Sequence, residues 1–101
     1  MIYLKIYETE KGRMIAMCDE NLIGKVLKQG KMELDLKTYS DFYRGDLISE
    51  ETALSIVTGD GLYSANIVGK NSVGIFLVKG LVDKNQVKKI SKVPFVQLYM
   101  V

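Results

Sequence analysis

The N-terminal part of the chain contains two predicted strands, and the first of them alternates apolar and polar side chains. Residues 2–8, IYLKIYE, place three aliphatic side chains on one side and two tyrosines and a lysine on the other. Alternation with a period of about two residues is typical of a half-buried β-strand. Residues 13–19, RMIAMCD, read as a second strand after a turn at Lys11 and Gly12. Because the link is so short, the two segments predict an antiparallel hairpin.

Three further segments have strand character. Residues 31–37, KMELDLK, alternate again and predict a third strand with its methionine and two leucines facing inward. Residues 87–90, VKKI, and 95–101, FVQLYMV, predict two strands near the C-terminus. Residues 19–30 are ambiguous, because a short helical turn there is interrupted by Gly24. Residues 64–70, SANIVGK, read as a brief apolar segment after a turn.

A first short helix is predicted over residues 50–58. Ser49 suits its N-cap because a serine hydroxyl can accept a hydrogen bond from a free N–H of the first turn. Gly59 is well placed to end it in a left-handed conformation.

A second short helix is predicted within NSVGIFLVKG, residues 71–80. Asn71 or Ser72 is expected to cap it and Gly80 to end it. Gly74 weakens this helix by up to about 1 kcal/mol relative to alanine, so we expect close packing against a neighbour there.

Together these elements predict an α+β fold in a single domain over residues 1–101. We expect a mainly antiparallel sheet of four to six short strands, with the two short helices packed on one face.

The stretch DFYRGD, residues 41–46, precedes the first helix and is a candidate recognition loop. Two glutamates follow Ser49 and would repel a phosphate at that helix N-terminus, so this is not a phosphate-binding loop. We expect Gly45 to supply a turn, with Phe42 packed inward and Tyr43 and Arg44 pointing outward.

Composition narrows the chemistry. The chain has no histidine and one cysteine, Cys18, so zinc and copper sites and a histidine-activated nucleophile are not expected, and neither is a cofactor. Asp19 and Glu20 would raise the thiol pKa of Cys18, which favours unreactive packing. Four methionines are expected to fill gaps in the core: Met14, Met17, Met32 and Met100.

Charge is unevenly distributed along the chain. Residues 1–60 carry a net charge of −3 and residues 61–101 a net charge of +5. This asymmetry indicates an anionic partner for the C-terminal third, while the alternative is that these lysines only solvate one face. No apolar run approaches the roughly 20 residues that span a bilayer, and no signal peptide is visible, so a cytoplasmic protein without membrane contact is expected.

Five segments resemble, in order and spacing, a small archaeal family known as domain of unknown function 424. They are CDENLIGK (18–25), DFYRGDLISEETA (41–53), SANIVGK (64–70), KGLVD (79–83) and KVPFVQLYMV (92–101). The resemblance covers nearly the whole chain and implies an archaeal, cytoplasmic protein with no established activity. It also implies a loose association with translation or RNA-related genes. The chain departs from the family pattern at Arg44, where a glycine is usual, and at Phe95, where a histidine is frequent.

Three functional hypotheses remain open. The first is a non-enzymatic module that binds RNA or a ribosome-associated protein through C-terminal lysines, with Tyr43 or Tyr63 as stacking faces. The second is a protein-interaction subunit, monomeric or a small homo-oligomer, and the third a small-molecule-binding protein or enzyme. The candidate binding residues are Tyr43, Arg44, Asn66, Lys70, Lys88, Lys89 and Lys92, and the basic footprint adds Lys79 and Lys84. The candidate polar groups for an enzyme are Asp19, Lys25, Asp46, Asn66 and Lys70.

Overall fold

The computed structural model describes residues 1–100, which form eight strands and three α-helices. The elements are β1 (Ile2–Thr9), β2 (Gly12–Asp19), β3 (Val26–Gln29), β4 (Met32–Asp35), α1 (Ser40–Tyr43), β5 (Asp46–Ile48), α2 (Glu50–Ile56), β6 (Leu62–Val68), α3 (Lys70–Val78), β7 (Lys88–Ile90) and β8 (Val93–Tyr99). Val101, the last residue of the predicted C-terminal strand, lies outside the described residues.

Six strands form one mixed sheet in the order β5-β1-β2-β6-β8-β7, and β3 pairs with β4 in a separate hairpin. Only the β2–β6 pair is parallel; every other pair within residues 1–100 is antiparallel. The predicted α+β class with a mainly antiparallel sheet is therefore confirmed. The predicted β1–β2 hairpin is also confirmed, with Ile2 opposite Asp19 and Thr9 opposite Gly12.

The segment predicted as a brief apolar stretch is instead the central strand β6. It pairs with β2 on one side and β8 on the other. Ser64, Ala65, Ile67 and Val68 are all buried, so both faces of this strand are covered. A strand buried on both faces loses the alternation that marks a half-buried strand, and this is why the pattern did not reveal it. Strand β5 at the far edge, only three residues long, was also missed.

One face of the sheet is covered by α2 and α3, and we call it the helical face. Ala53 and Val57 of the α2 segment and Phe76 of α3 pack there against strand side chains such as Ile15 and Ile67. The prediction of two short helices on one face is thus confirmed.

The opposite face is covered by the β3–β4 hairpin and the single-turn helix α1, and we call it the hairpin face. Leu36 and Tyr43 pack there against Cys18, Val68 and Phe95. Leu36 is fully buried, whereas Met32 of the same predicted strand is 45% exposed. Burial of the predicted inward side therefore increases along the segment, from exposed Met32 through half-buried Leu34 to buried Leu36, and the prediction that Met32 faces inward is wrong.

The helix ends differ in part from the predictions. Ser49 caps α2 as expected, its hydroxyl oxygen lying 3.1 Å from the Thr52 backbone nitrogen. The prediction that Gly59 ends α2 in a left-handed conformation is wrong, since the helix stops at Ile56 and Val57 is already extended. Val57 leaves the helix early because its side chain is buried against the sheet.

The end of α3 follows the prediction. Gly80 has φ +68°, and the N–H of Leu81 donates to the Phe76 carbonyl at 3.0 Å. This closes the last turn in the manner of a left-handed glycine cap.

Two expectations about packing are wrong. A Cβ at Gly74 would meet no heavy atom within 4 Å, so no neighbour requires glycine there. Among the four methionines only Met17 is fully buried; Met14 is half-buried, and Met32 and Met100 are exposed. Unbranched methionine is tolerated at such surface positions as well as in cores. No helix within the described part of the chain is long and apolar enough to cross a membrane.

Candidate binding clefts

The loop of residues 41–46 does not present its aromatic pair to solvent. Phe42 is half-buried against the hairpin-face core, in line with its predicted inward position, but Tyr43 is only 6% exposed, so the prediction that Tyr43 points outward is wrong. Residues 40–43 form a helical turn rather than an extended loop, so Tyr43 turns toward Cys18 and Leu36 in the hairpin-face core. Arg44 is exposed as predicted, with its guanidinium 5.8 Å from the centre of the Tyr3 ring. Tyr43 is therefore not available as a stacking face.

The start of α3 is capped from another strand. The helix begins at Lys70, and the buried carboxylate of Asp19, at the end of β2, accepts three hydrogen bonds from the first turn. The donors are Asn71 N at 3.1 Å, Ser72 N at 2.9 Å and the Ser72 hydroxyl at 2.7 Å. Asn71 and Ser72 are thus donors to the cap, and the prediction that one of them supplies it is wrong.

Gly69 makes this cap possible. Its φ is +106°, and a Cβ there would overlap the Asp19 carboxyl group. Only glycine therefore allows the carboxylate to approach the N–H groups so closely. Because Asp19 already occupies them, the α3 N-terminus is not free to bind an anion, and Asp19 is better explained as a structural residue than as a catalytic one.

A cleft of about 410 Å³ opens beside this cap, and we call it the capped cleft. It lies between the α3 N-terminus, the β7–β8 turn and the 3-10 turn Glu20–Leu22. Lys70 and Lys92 both line it, together with Asp19, Glu20 and Pro94. Two of the predicted binding lysines therefore share one cleft, in a setting of mixed charge.

Lys92 is held in an uncommon conformation. Ser91 and Lys92 form the two-residue β7–β8 turn and have φ of +48° and +69°, although neither is glycine. Ser91 is anchored to β3, since its backbone N–H donates to the Gln29 side chain at 2.6 Å and its hydroxyl to the Lys28 carbonyl at 2.5 Å. Left-handed backbone at ordinary residues costs about 1–3 kcal/mol and is often found at functional positions.

The lysines of residues 84–92 lie along one edge of the main sheet. Strand β7 is the edge strand, and a 3-10 turn, Lys84–Gln86, leads into it. We call Lys84, Lys88, Lys89 and Lys92 the basic edge; all four are exposed. The two ion pairs within residues 1–100 lie elsewhere, joining Arg13 with Glu8 and Lys28 with Glu33.

Lys88 and Lys89 share the basic edge but are consecutive in β7 and therefore point to opposite faces of the sheet, so the four lysines line an edge rather than one face. The candidate residues outside the basic edge do not join it. Lys79 donates to the Leu54 carbonyl at 2.5 Å beside α2, away from β7. Lys25, Arg44, Asn66 and Lys70 do not converge on a common pocket, and Asp46 lies on the opposite edge strand, β5.

A second cleft, of about 510 Å³, lies on the hairpin face, and we call it the aromatic cleft. It is bounded by β4, α1 and β6, and its lining contains Glu33, Asp35, Tyr39, Phe42, Tyr43 and Asn66. The Phe42 ring stacks on Tyr7 at 5.4 Å and meets Tyr43 edge to face at 5.0 Å, so two of the three aromatic walls are fixed.

The acidic residues of this cleft were not recognised in the sequence. Asp35 Oδ1 accepts from the backbone N–H groups of Lys37 and Thr38 at 3.0 and 2.8 Å, and the Thr38 hydrogen bonds are the main cause that lowers the Asp35 pKa. Asp35 therefore remains ionised. The only local signal in the sequence was the position of Asp35, two residues before Lys37 and three before Thr38. An acid at this spacing is common in turns and carries no information about a cleft.

Cys18 lies under the hairpin face and is fully buried. Burial and, to a smaller extent, the neighbouring Asp19 charge raise its thiol pKa to about 12, so the predicted unreactive role agrees with the structure. Burial also raises the pKa of Tyr43 to about 12, with a smaller contribution from Cys18. Across residues 1–100 no group of three acidic or cysteine side chains is placed to hold a metal ion.

Comparison with known proteins supports the fold and gives no activity. Residues 7–101 match the family model described as protein of unknown function DUF424. An uncharacterized conserved protein from Methanopyrus kandleri, known from a crystal structure, superposes with a TM-score of 0.82 at 24% sequence identity, covering 97% of this chain and 90% of that one. A search of curated proteins found no match.

Proposed function

The chain belongs to the protein family of unknown function DUF424, and we propose that it acts in the cytoplasm by binding RNA along its basic edge. The observation that carries the proposal is the concentration of exposed ammonium groups there, none of which pairs with an acidic side chain among residues 1–100. Four of the six lysines in residues 61–101 lie within residues 84–92, where Asp83 is the nearest acid in sequence. Phosphate contacts by lysine provide most of the sequence-independent affinity for nucleic acid.

The turn geometry adds support at one end of this edge. The backbone of Lys92 is set by the left-handed turn, and Lys92 lines the capped cleft together with Lys70. Both lysines are exposed, so either ammonium group is accessible to a backbone phosphate there. Base-specific recognition is not part of the proposal, because Tyr43 is buried and Tyr63 is half-buried with the Lys11 ammonium 5.8 Å from its ring centre.

Lysines on an edge strand also have a purely structural use, because they discourage pairing with another sheet edge. The two roles differ in a measurable way. RNA binding through phosphates weakens steeply as salt concentration rises, whereas protection of an edge needs no ligand.

The test is a charge reversal of three residues of the basic edge. We expect the variant Lys88→Glu, Lys89→Glu, Lys92→Glu to bind single-stranded and hairpin RNA at least about tenfold more weakly than the wild type at low salt, with a shallower salt dependence. The matched control reverses three lysines elsewhere, Lys5, Lys11 and Lys37, and should retain most of the affinity. RNA affinity equal to wild type in the first variant, or no binding by the wild type at low salt, would reject the proposal.

The same samples address the alternative of a protein-interaction subunit. We expect the wild-type protein to elute as a larger species in size-exclusion chromatography only when RNA is added and salt is low. Concentration-dependent association without RNA, unchanged by the basic-edge variant, would favour the interaction role instead.

A further inference from the structure

The aromatic cleft combines three features that suit one kind of ligand. It offers aromatic rings, carboxylates, and polar groups that have no hydrogen-bond partner among residues 1–100. Its lining contains no lysine or arginine side chain, so nothing in the cleft wall supplies a positive charge. This composition contrasts with the capped cleft, which two lysines line.

The unpartnered polar groups are the hydroxyl of Tyr43 and the side-chain amide of Asn66. Neither makes a hydrogen bond to any residue in the described range 1–100. Tyr43 as a whole is only 6% exposed. However, every fully enclosed side-chain polar atom among residues 1–100 has a hydrogen-bond partner, so the unpartnered Tyr43 hydroxyl is not fully enclosed. The Tyr43 hydroxyl must therefore reach solvent, and the open space that this residue lines is the aromatic cleft. Both groups carry an oxygen that can accept a hydrogen bond.

The charge of the cleft is negative. Asp35 keeps one carboxylate oxygen, Oδ2, free of the hydrogen bonds that hold Oδ1. Glu33 lies 3.7 Å from the Lys28 ammonium, but both side chains are largely exposed, so this pair is weak and easily exchanged. Lys37, two residues after Asp35, is exposed and does not line the cleft, and its charge makes only a minor contribution to the lowered Asp35 pKa.

The aromatic walls differ in mobility and accessibility. Phe42 and Tyr43 are fixed by packing on each other and on Tyr7, whereas Tyr39 is 63% exposed at the rim. The faces of aromatic rings attract cations, and rings combined with carboxylates are the usual means of recognising alkylammonium groups. A volume of about 510 Å³ is large enough for a small organic ligand.

We propose that the aromatic cleft binds an organic cation, an alkylammonium or guanidinium group, between the Tyr39 and Phe42 rings and the carboxylates of Glu33 and Asp35. The Tyr43 hydroxyl and the Asn66 amide oxygen accept its N–H groups where it has them. This site is separate from the basic edge and does not depend on RNA binding. The same chemistry is carried by a free polyamine and by a basic side chain of a partner protein.

The test is a titration of the wild-type protein followed by two-dimensional amide NMR. The probes are choline, its neutral carbon isostere dimethylbutanol, spermidine, and acetyl-arginine amide. We expect saturable shifts around the Asn66 side-chain amide and residues 33–43 with the cations and not with the neutral isostere. Preference for spermidine identifies a free polyamine and preference for acetyl-arginine amide a basic side chain, while equal binding supports the shared chemistry.

Two variants with matched controls separate a built site from general electrostatics. Tyr39→Ala and Glu33→Gln change exposed side chains of the cleft and should each weaken choline binding by about two- to fivefold. Tyr99→Ala and Glu10→Gln make the same changes at exposed positions outside it and should leave the affinity unchanged. Absence of saturable shifts, equal response to the neutral isostere, or equal loss in the controls would overturn the proposal.

Discussion

The two faces of the main sheet differ in whether their polar side chains find hydrogen-bond partners within the protein. On the helical face the Asp19 carboxylate accepts three hydrogen bonds from the first turn of α3. On the hairpin face the Tyr43 hydroxyl and the Asn66 amide have no partner within residues 1–100. On the helical face, the start of α3 brings free backbone N–H groups to the Asp19 carboxylate. On the hairpin face, the short β3–β4 hairpin and the single-turn helix α1 cover the sheet less completely and leave the aromatic cleft open. The first face is therefore a structural core and the second a candidate binding surface.

The largest effect should come from removing the cap. Asp19→Ala deletes an acceptor that satisfies two backbone N–H groups and the Ser72 hydroxyl, and should lower the free energy of unfolding by about 3 kcal/mol. The matched control is Ser49→Ala, which removes a local, more exposed cap from α2 and should cost about 1 kcal/mol. Chemical denaturation measures both. An equal cost for the two variants would mean that the long-range cap has no special weight.

The hairpin face should be sensitive to alkaline pH. The thiol pKa of Cys18 rises from 9.0 to about 12 on folding because the thiol is buried. Its contribution to stability is present below pH 9.0 and is lost as the pH rises toward about 12, because only the unfolded chain then ionises readily. Between neutral pH and about pH 10 the free energy of unfolding should fall by about 1.4 kcal/mol from this group.

The control for the pH effect is Cys18→Ala, measured by denaturation over the same pH range. The smaller side chain lowers the free energy of unfolding of this variant by a similar amount at every pH. The fall that begins near pH 9.0 should disappear. The later fall caused by Tyr43, whose pKa rises from 10.0 to about 12 on folding, should remain. Parallel pH profiles for the two proteins would show that the thiol does not contribute.

A stabilising change is expected on the outer side of α3. Gly74→Ala adds a methyl group into open space within a helix, so it should raise the free energy of unfolding by about 0.5–1 kcal/mol. Gly80→Ala is the contrasting control, because the left-handed φ of +68° there should make alanine destabilising. A loss of stability in Gly74→Ala would indicate that the added methyl group meets a neighbour and that the space there is not open.

The smallest effect on stability should come from Tyr43→Phe. This change removes a hydroxyl that has no partner among the described residues and reaches solvent in the cleft, so the free energy of unfolding should change by less than about 0.5 kcal/mol. The same variant should bind acetyl-arginine amide more weakly in the NMR titration, because that ligand loses an acceptor. A destabilisation as large as that of Asp19→Ala would remove the contrast between the two faces.

Sequence alone determined the local elements of this protein where one face of a segment meets water. The alternation in β1, the short link that makes β1 and β2 a hairpin, the Ser49 cap and the Gly80 stop depend on neighbouring residues, and each was predicted correctly. The exposed lysines of residues 84–92 were also evident as a charge pattern.

Tertiary structure alone decided the features in which distant segments meet. Strand β6 is buried on both faces and carries no alternation, and the cap of α3 comes from a residue more than fifty positions earlier, Asp19. The aromatic cleft joins β4, α1 and β6, and its Tyr43 was predicted to face outward. Side-chain period and capping preference report on the nearest few residues, whereas burial on a second face and convergence at a cleft depend on how the whole chain packs.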